Sequence, residues 1–202
     1  MVSLGSNVGD RLSQLQVALD RLGGHPGIAV RAVSPVYETE PVGGPPQPPY
    51  LNAVALLDVD LAPPELLAEL HRIEELGGRV RDERWGPRTL DLDLVVQPPY
   101  AGTRDGLTLP HPRAHERAFV LAPWVDLDPV AELPGRGRIA ALLAAAQAGA
   151  GQGGAGCGEP ARGGVQQDDV QQDGEGQGGA QPDGAPSGAV RRRADLVLWL
   201  PR

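Results

Sequence analysis

An α+β domain built on one antiparallel sheet is what the front of this 202-residue chain predicts. Two observations carry that expectation. Runs rich in apolar and β-branched residues alternate with stretches of helical spacing, in the order strand, helix, strand, strand, helix, strand. Glycine and proline pairs punctuate the junctions between them.

Val2 to Leu4 is a short apolar run ending in Gly5-Ser6-Asn7. Beyond it Leu12, Leu15, Ala18, Leu19 and Leu22 recur at helical spacing up to Gly23-Gly24. Asp10 is placed to accept hydrogen bonds from the free amides of the first turn, and the glycine pair to supply a left-handed stop. Ile28 to Tyr37 and Leu51 to Val59 then read as two adjacent strands across a Gly/Pro-filled connection. Pro63-Pro64 opens a second helix, whose Leu66, Leu67, Leu70, Ile73 and Leu76 make one apolar stripe closed by Gly77-Gly78. Leu90 to Val96 reads as a buried strand. The order is the ferredoxin-like one, an antiparallel sheet with helices packed on it.

Downstream, Pro110 to Arg117 predicts a turn and short helix, Phe119 to Leu121 a brief apolar segment, and Ile139 to Ala148 an alanine-rich helix. These complete a domain over residues 1–148. Residues 149–189 are dominated by Gly, Gln, Asp, Ala and Pro, too poor in large apolar side chains to repay ordering, and predict a disordered C-terminal insertion. Residues 190–202 then read as a short terminal strand or a tail, with Leu196 to Leu200 restoring an apolar run after Arg191-Arg192-Arg193.

The net charge of -8 argues against a nucleic-acid binder held by phosphate neutralisation, which needs a basic face. The single cysteine, Cys157, can form neither an internal disulfide nor a paired metal site. No apolar run approaches membrane-spanning length, so the expectation is a cytoplasmic protein with no membrane partner. The sequence contains no lysine, which leaves guanidiniums as the only basic side chains besides histidine; coding bias accounts for this more readily than phosphate binding does.

The chemistry concentrates in RWGPRTLDLDL, residues 84 to 94. Asp91 and Asp93 stand two apart on a strand, so both carboxylates leave one face, where they can grip a hard divalent cation such as magnesium. An acidic solvent face on an edge strand would look the same. Arg79, Arg81, Arg84 and Arg88 precede them in a loop kept from helix by Gly78, Gly86 and Pro87, which suits a polyphosphate or simply water. Trp85 among them is of a type most often used for packing, though an indole beside arginines can also lie against a flat ring.

Together, SLGSNVGDR (3–11), YETEPVG (37–43), YLNAV (50–54), GRVR (78–81), RWGPRTLDLDL, LPHPR and ERAFVLAP resemble the 6-hydroxymethyl-7,8-dihydropterin pyrophosphokinase family, in family order and across residues 3 to about 123. The resemblance implies transfer of diphosphate from ATP to 6-hydroxymethyl-7,8-dihydropterin, releasing AMP, in tetrahydrofolate synthesis. It implies two magnesium ions bound with ATP by Asp91 and Asp93, which act with Arg79 and Arg88 as the catalytic group. Glu74, His111 and Arg117 fall to the ATP side with Arg84 and Trp85, the last two in a mobile loop. Thr39, Val42 and Asn52 border the pterin, and Tyr50 and Phe119 sandwich its ring. Small-molecule substrates acting on a monomer complete the expectation. The chain's start at Met1-Val2 predicts a first strand shorter than the family's, with reduced sheet pairing.

Overall fold

The computed structural model describes residues 1–41, 46–78, 88–151 and 189–201. Its elements begin with β1 (Val2–Ser6), α1 (Arg11–Gly23), β2 (Ile28–Val33), β3 (Val36–Thr39), β4 (Tyr50–Val59), α2 (Pro63–Leu76) and β5 (Asp91–Leu94). A hairpin of β6 (Gly102–Arg104) and β7 (Leu107–Leu109) follows, then a 3-10 turn at Ala114–Glu116 and α3 (Ala118–Leu127). The chain continues through β8 (Glu132–Leu133), β9 (Gly137–Arg138), α4 (Ile139–Gly151) and β10 (Val190–Arg193). Four α-helices and an antiparallel main sheet are thus present among the described residues. None of those helices is long and apolar enough to cross a membrane.

The main sheet runs β10-β3-β4-β1-β5, with β2 also pairing with β4. Far from losing its pairing, β1 faces β4 along all five residues and β5 from Val2 to Gly5. Val2 and Leu4 are apolar and fully buried, so the middle of the sheet is where the strand belongs. The expected strand Ile28 to Tyr37 is divided at Ser34-Pro35, because proline has no N–H for the ladder. Ser34 repairs the gap: its N–H donates to Val54 O, and its hydroxyl accepts from Val54 N, both at 3.0 Å.

Alternation along the central strands sorts side chains to two faces. Val2, Leu4, Leu92 and Leu94 join Leu15, Leu19 and Leu22 of α1 and Leu66, Leu70 and Ile73 of α2 in the larger core. Asp10 caps α1 as expected, accepting from Ser13 N at 3.1 Å. The expected left-handed stop is absent there, for Gly24 has φ -78° and its N–H reaches back to Asp20 O from the right-handed region. The left-handed glycine occurs after α2 instead, at Gly78 with φ 77°.

Among the described residues the opposite face is covered at one end. Val54, Val95 and Val96 meet Val120, Leu121 and Trp124 of α3, with Ile139 of α4 behind them. Where a brief apolar segment was expected, α3 is a helix ten residues long that contains Pro123. Burial around most of the helix outweighs the hydrogen bond lost at that proline. The terminal strand is formed by the arginine run, which pairs with β3 from Val190 to Arg193, while Leu196 and Leu198 pack against the larger core. Most of the insertion expected at 149–189 lies outside the described residues.

Candidate active site

The part of the second face left open by α3 is floored by small and polar residues. Ser3 of β1 lies opposite Val54 and Asp93, and Gly5 lies opposite Asn52 and Asp91. On β5 the leucines enter the core, leaving Asp91 and Asp93 partly exposed on the open side, with side-chain exposures of 24% and 30%. A side chain at Gly5 would set its Cβ 3.2 Å from Asn52 Oδ1 and 3.9 Å from Asp91 Cβ. Bare backbone therefore separates the amide of Asn52 from the carboxylate of Asp91.

Both carboxylates carry an arginine. Arg88 Nη1 donates to Asp91 Oδ1 at 2.6 Å, and Arg117 Nη1 donates to Asp93 Oδ2 at 2.6 Å. Burial works against the charge on Arg88, but Asp91 outweighs it and holds the guanidinium above its ordinary pKa. Arg117 also lies 5.6 Å above the ring of Phe119. His111 is pushed below its usual pKa by burial first and by the Arg117 charge second. Its Nδ1 accepts from Arg113 N at 3.2 Å, so the neutral ring carries its proton on Nε2.

On the other side of Gly5, Asn52 is buried and its Nδ2 donates to Thr39 Oγ1 at 2.7 Å. Tyr50, at the start of β4, donates its hydroxyl to Gln47 Oε1 at 3.2 Å. The carboxylate of Glu74 is buried beneath β5, where Oε1 accepts from Leu92 N at 2.7 Å. Glu74 thus meets the site through the strand that carries the aspartates. Val42, Arg79, Arg84 and Trp85 lie outside the described residues.

The donor set suits magnesium held jointly with substrate. Two partly exposed carboxylates on one strand face are hard oxygen ligands, and each is now balanced by a guanidinium that phosphate could take over. Among the described residues no cluster of three acidic or histidine side chains could enclose a cation alone. A cation held there would complete its shell with water and phosphate oxygens.

Two residues of the site carried no role in the sequence reading. Gly5 is one, its function visible only in the register that sets Asn52 and Asp91 on either side of it. Asn7 is the other, 1% exposed, with its Oδ1 accepting from Arg88 N at 2.7 Å. The only signal available was the Gly-Ser-Asn triplet at a strand end.

The family model described as 7,8-dihydro-6-hydroxymethylpterin-pyrophosphokinase matches residues 1–129. Among curated proteins the chain is similar to the 2-amino-4-hydroxy-6-hydroxymethyldihydropteridine pyrophosphokinase of Pseudomonas aeruginosa PAO1, 46% identical over 144 residues, covering 71% of this chain and 89% of that one. The protein of that name from Mycobacterium tuberculosis H37Rv is 44% identical over 147 residues, covering 68% and 76%. The Bacillus subtilis 168 protein of that name is 43% identical over 126 residues, covering 62% and 75%. With the match running through the open face and both aspartates, the chain belongs to the 7,8-dihydro-6-hydroxymethylpterin-pyrophosphokinase family.

Proposed function

We propose how this chain performs its family's reaction, the transfer of diphosphate from ATP to 6-hydroxymethyl-7,8-dihydropterin in folate biosynthesis, on the face described above. Asp91 and Asp93 hold magnesium, two ions in this reading, against the phosphates of ATP. When bound there the metal polarises the phosphoryl oxygens and offsets the charge that develops on them. Arg88 and Arg117, released from the carboxylates, turn to the phosphates and fix the chain of phosphorus atoms in line. His111, neutral, offers Nε2–H on the same side.

The pterin occupies the other side of Gly5. Asn52 and Thr39 present hydrogen-bonding groups to its edge, and Tyr50 and Phe119 flank the flat ring, an arrangement suited to a heterocycle. The substrate's hydroxymethyl oxygen attacks the β-phosphorus and loses its proton to solvent water, and the bond from that phosphorus to the α-phosphate oxygen breaks to release AMP. Positioning and charge neutralisation supply the acceleration. Glu74 holds β5, and so both aspartates, at a fixed height. Roles for Val42, Arg79, Arg84 and Trp85 rest on the family resemblance alone.

The observation that carries this reading is the arrangement of two arginine-balanced carboxylates one residue of bare backbone away from a buried amide. A ferredoxin-like core belongs to the same proposal, supported by the order β3-β4-β1-β5 with α1 and α2 packed on one face. So does a monomeric cytoplasmic enzyme with no nucleic-acid partner, supported on the last point by the net charge of -8. The test is ATP labelled at the β-phosphate. Label passing into the pterin product with unlabelled AMP supports the reading; label in ADP formed without pterin would make the protein a metal-dependent hydrolase.

A further inference from the structure

We infer that Asn7 is a positioning residue that couples the pterin subsite to the metal-nucleotide subsite; the inference rests on the reaction geometry proposed above. Asn7 sits just past β1, with 1% of its surface exposed, and its side-chain amide bonds to two segments at once. Its Oδ1 accepts from Arg88 N at 2.7 Å, and its backbone N–H donates to Arg88 O at 3.1 Å. Its Nδ2 donates to Gln47 Oε1 at 3.0 Å and to Pro48 O at 3.2 Å. An asparagine amide has two donor hydrogens and one acceptor oxygen, and all of them are engaged.

Each end of this bridge reaches a subsite. Gln47 Oε1 also accepts from the Tyr50 hydroxyl at 3.2 Å, on the pterin side. The Arg88 guanidinium holds Asp91 at 2.6 Å, on the metal side. A continuous relay therefore runs Tyr50, Gln47, Asn7, Arg88, Asp91, with Asn7 as its buried middle. When Arg88 exchanges Asp91 for phosphate, its backbone is the part that Asn7 grips on both edges. Any shift there is passed to Gln47 and the ring-flanking Tyr50, and by linkage the effect is reciprocal.

The segment does not depend on Asn7 for its attachment. Arg11 Nη1 donates to Pro49 O at 2.7 Å and to Glu38 Oε1 at 3.1 Å, and this second tether keeps residues 47–49 docked when the amide is changed. Loss of the relay should then leave the fold and each separate site standing while uncoupling them. Asn7→Asp is the near-isosteric way to do this. It keeps an acceptor for Arg88 N but turns an oxygen toward Gln47 Oε1 and Pro48 O, which are acceptors themselves. Gln47→Ala cuts the relay from the loop side and does not disturb the buried amide.

The experiment is equilibrium binding of 6-hydroxymethylpterin, with and without magnesium and an ATP analogue whose α,β-bridge is methylene. The proposal expects the nucleotide analogue to tighten pterin binding in the wild type. It expects Asn7→Asp and Gln47→Ala to reduce that enhancement roughly five- to tenfold, the scale of one or two hydrogen bonds. The affinity of Gln47→Ala for the nucleotide analogue alone should change less than about twofold, since that variant leaves Asn7, Arg88 and Asp91 untouched. Undiminished enhancement in both variants overturns the proposal, whatever their melting temperatures, and leaves Asn7 a residue of the fold. If Asn7→Asp fails to fold, Gln47→Ala decides by the same criterion. Wild-type protein that binds pterin with no enhancement also overturns the coupling, whereas wild type that binds no pterin overturns the functional reading beneath it.

Discussion

Replacing Gly5 by alanine tests whether the two subsites share a floor of bare backbone. The added Cβ would stand 3.2 Å from Asn52 Oδ1 and 3.9 Å from Asp91 Cβ. Weakly attractive carbon–oxygen contacts lie at about 3.3–3.6 Å, so Asn52 must give by a few tenths of an ångström. It has little freedom to do so, being 4% exposed and bonded to Thr39 at 2.7 Å. Overpacking of this kind costs about 1–3 kcal/mol. Alanine recovers roughly 0.5–1 kcal/mol by restricting the unfolded chain, since the strand backbone at Gly5 needs no glycine conformation. The net expectation is a loss of about 1 kcal/mol, or about 2–4 °C in Tm for a domain of this size. Displacing the Asn52 amide should weaken pterin binding about five- to tenfold, the equivalent of a spoiled hydrogen bond. Circular-dichroism melting and pterin titration read the two effects separately. A Tm that rises, together with unchanged pterin affinity, would refute the packing argument.

Other consequences concern the supports of the site. Glu74→Ala leaves the Leu92 amide in buried β5 without its carboxylate acceptor and should cost about 1–3 kcal/mol in urea unfolding. Glu74→Gln keeps an acceptor oxygen and should lose less; an ATP-affinity defect with no stability change in either variant would place Glu74 at the nucleotide instead. Tyr37 is pushed up to about 12 by burial first and by its bond to Asp126 second. Because the folded value lies above the unfolded one, stability falls as pH rises beyond about 10, the ordinary tyrosine value, and Tyr37→Phe should remove both that fall and the ultraviolet titration near pH 12. His111 has the opposite linkage. Its folded value lies below the ordinary 6.5, so the unfolded chain binds the proton first and stability drops as pH falls below about 6.5. His111→Gln should flatten that part of the urea-midpoint profile, and an unchanged slope would contradict the burial of a neutral ring.

The sequence made the repeating parts of the fold legible. Helical spacing in Leu12 to Leu22 and Leu66 to Ile73, and the alternation in Asp91 to Leu94, gave α1, α2 and β5 with the correct face inward, whereas Leu76, expected in the same stripe, is exposed at the end of α2. Elements that depend on partners distant in sequence were hidden. The arginine run became β10 because β3 offers it a free edge, while the apolar residues after it pack on the core as an extended segment. The Phe119 region is apolar on most sides, so no stripe marked it as a helix, and Pro123 argued against one. The β6–β7 hairpin does carry a local signal, Asp105-Gly106, both at positive φ.

The site divides in the same way. Asp91 and Asp93 could be read from spacing, and Arg88 is near enough in sequence to be suspected as a partner. The pairing of Arg117 with Asp93, 24 residues apart, and the row Asn52, Gly5, Asp91 exist only through sheet register and the path of α3. Asn7 was least legible of all, since its significance lies in what it joins. A polar residue beyond a strand end looks like an ordinary turn residue until its partners are in view.

The most direct test of the account is a magnesium titration of AMP formation from ATP, with and without 6-hydroxymethyl-7,8-dihydropterin, in the wild type and Asp93→Ala. The account predicts pterin-dependent AMP in the wild type and a rate lower by at least about a hundredfold in the variant, the scale expected when a transition-state charge loses its support. Wild-type activity with AMP yield independent of pterin, or a variant that keeps the wild-type rate and magnesium dependence, would contradict it.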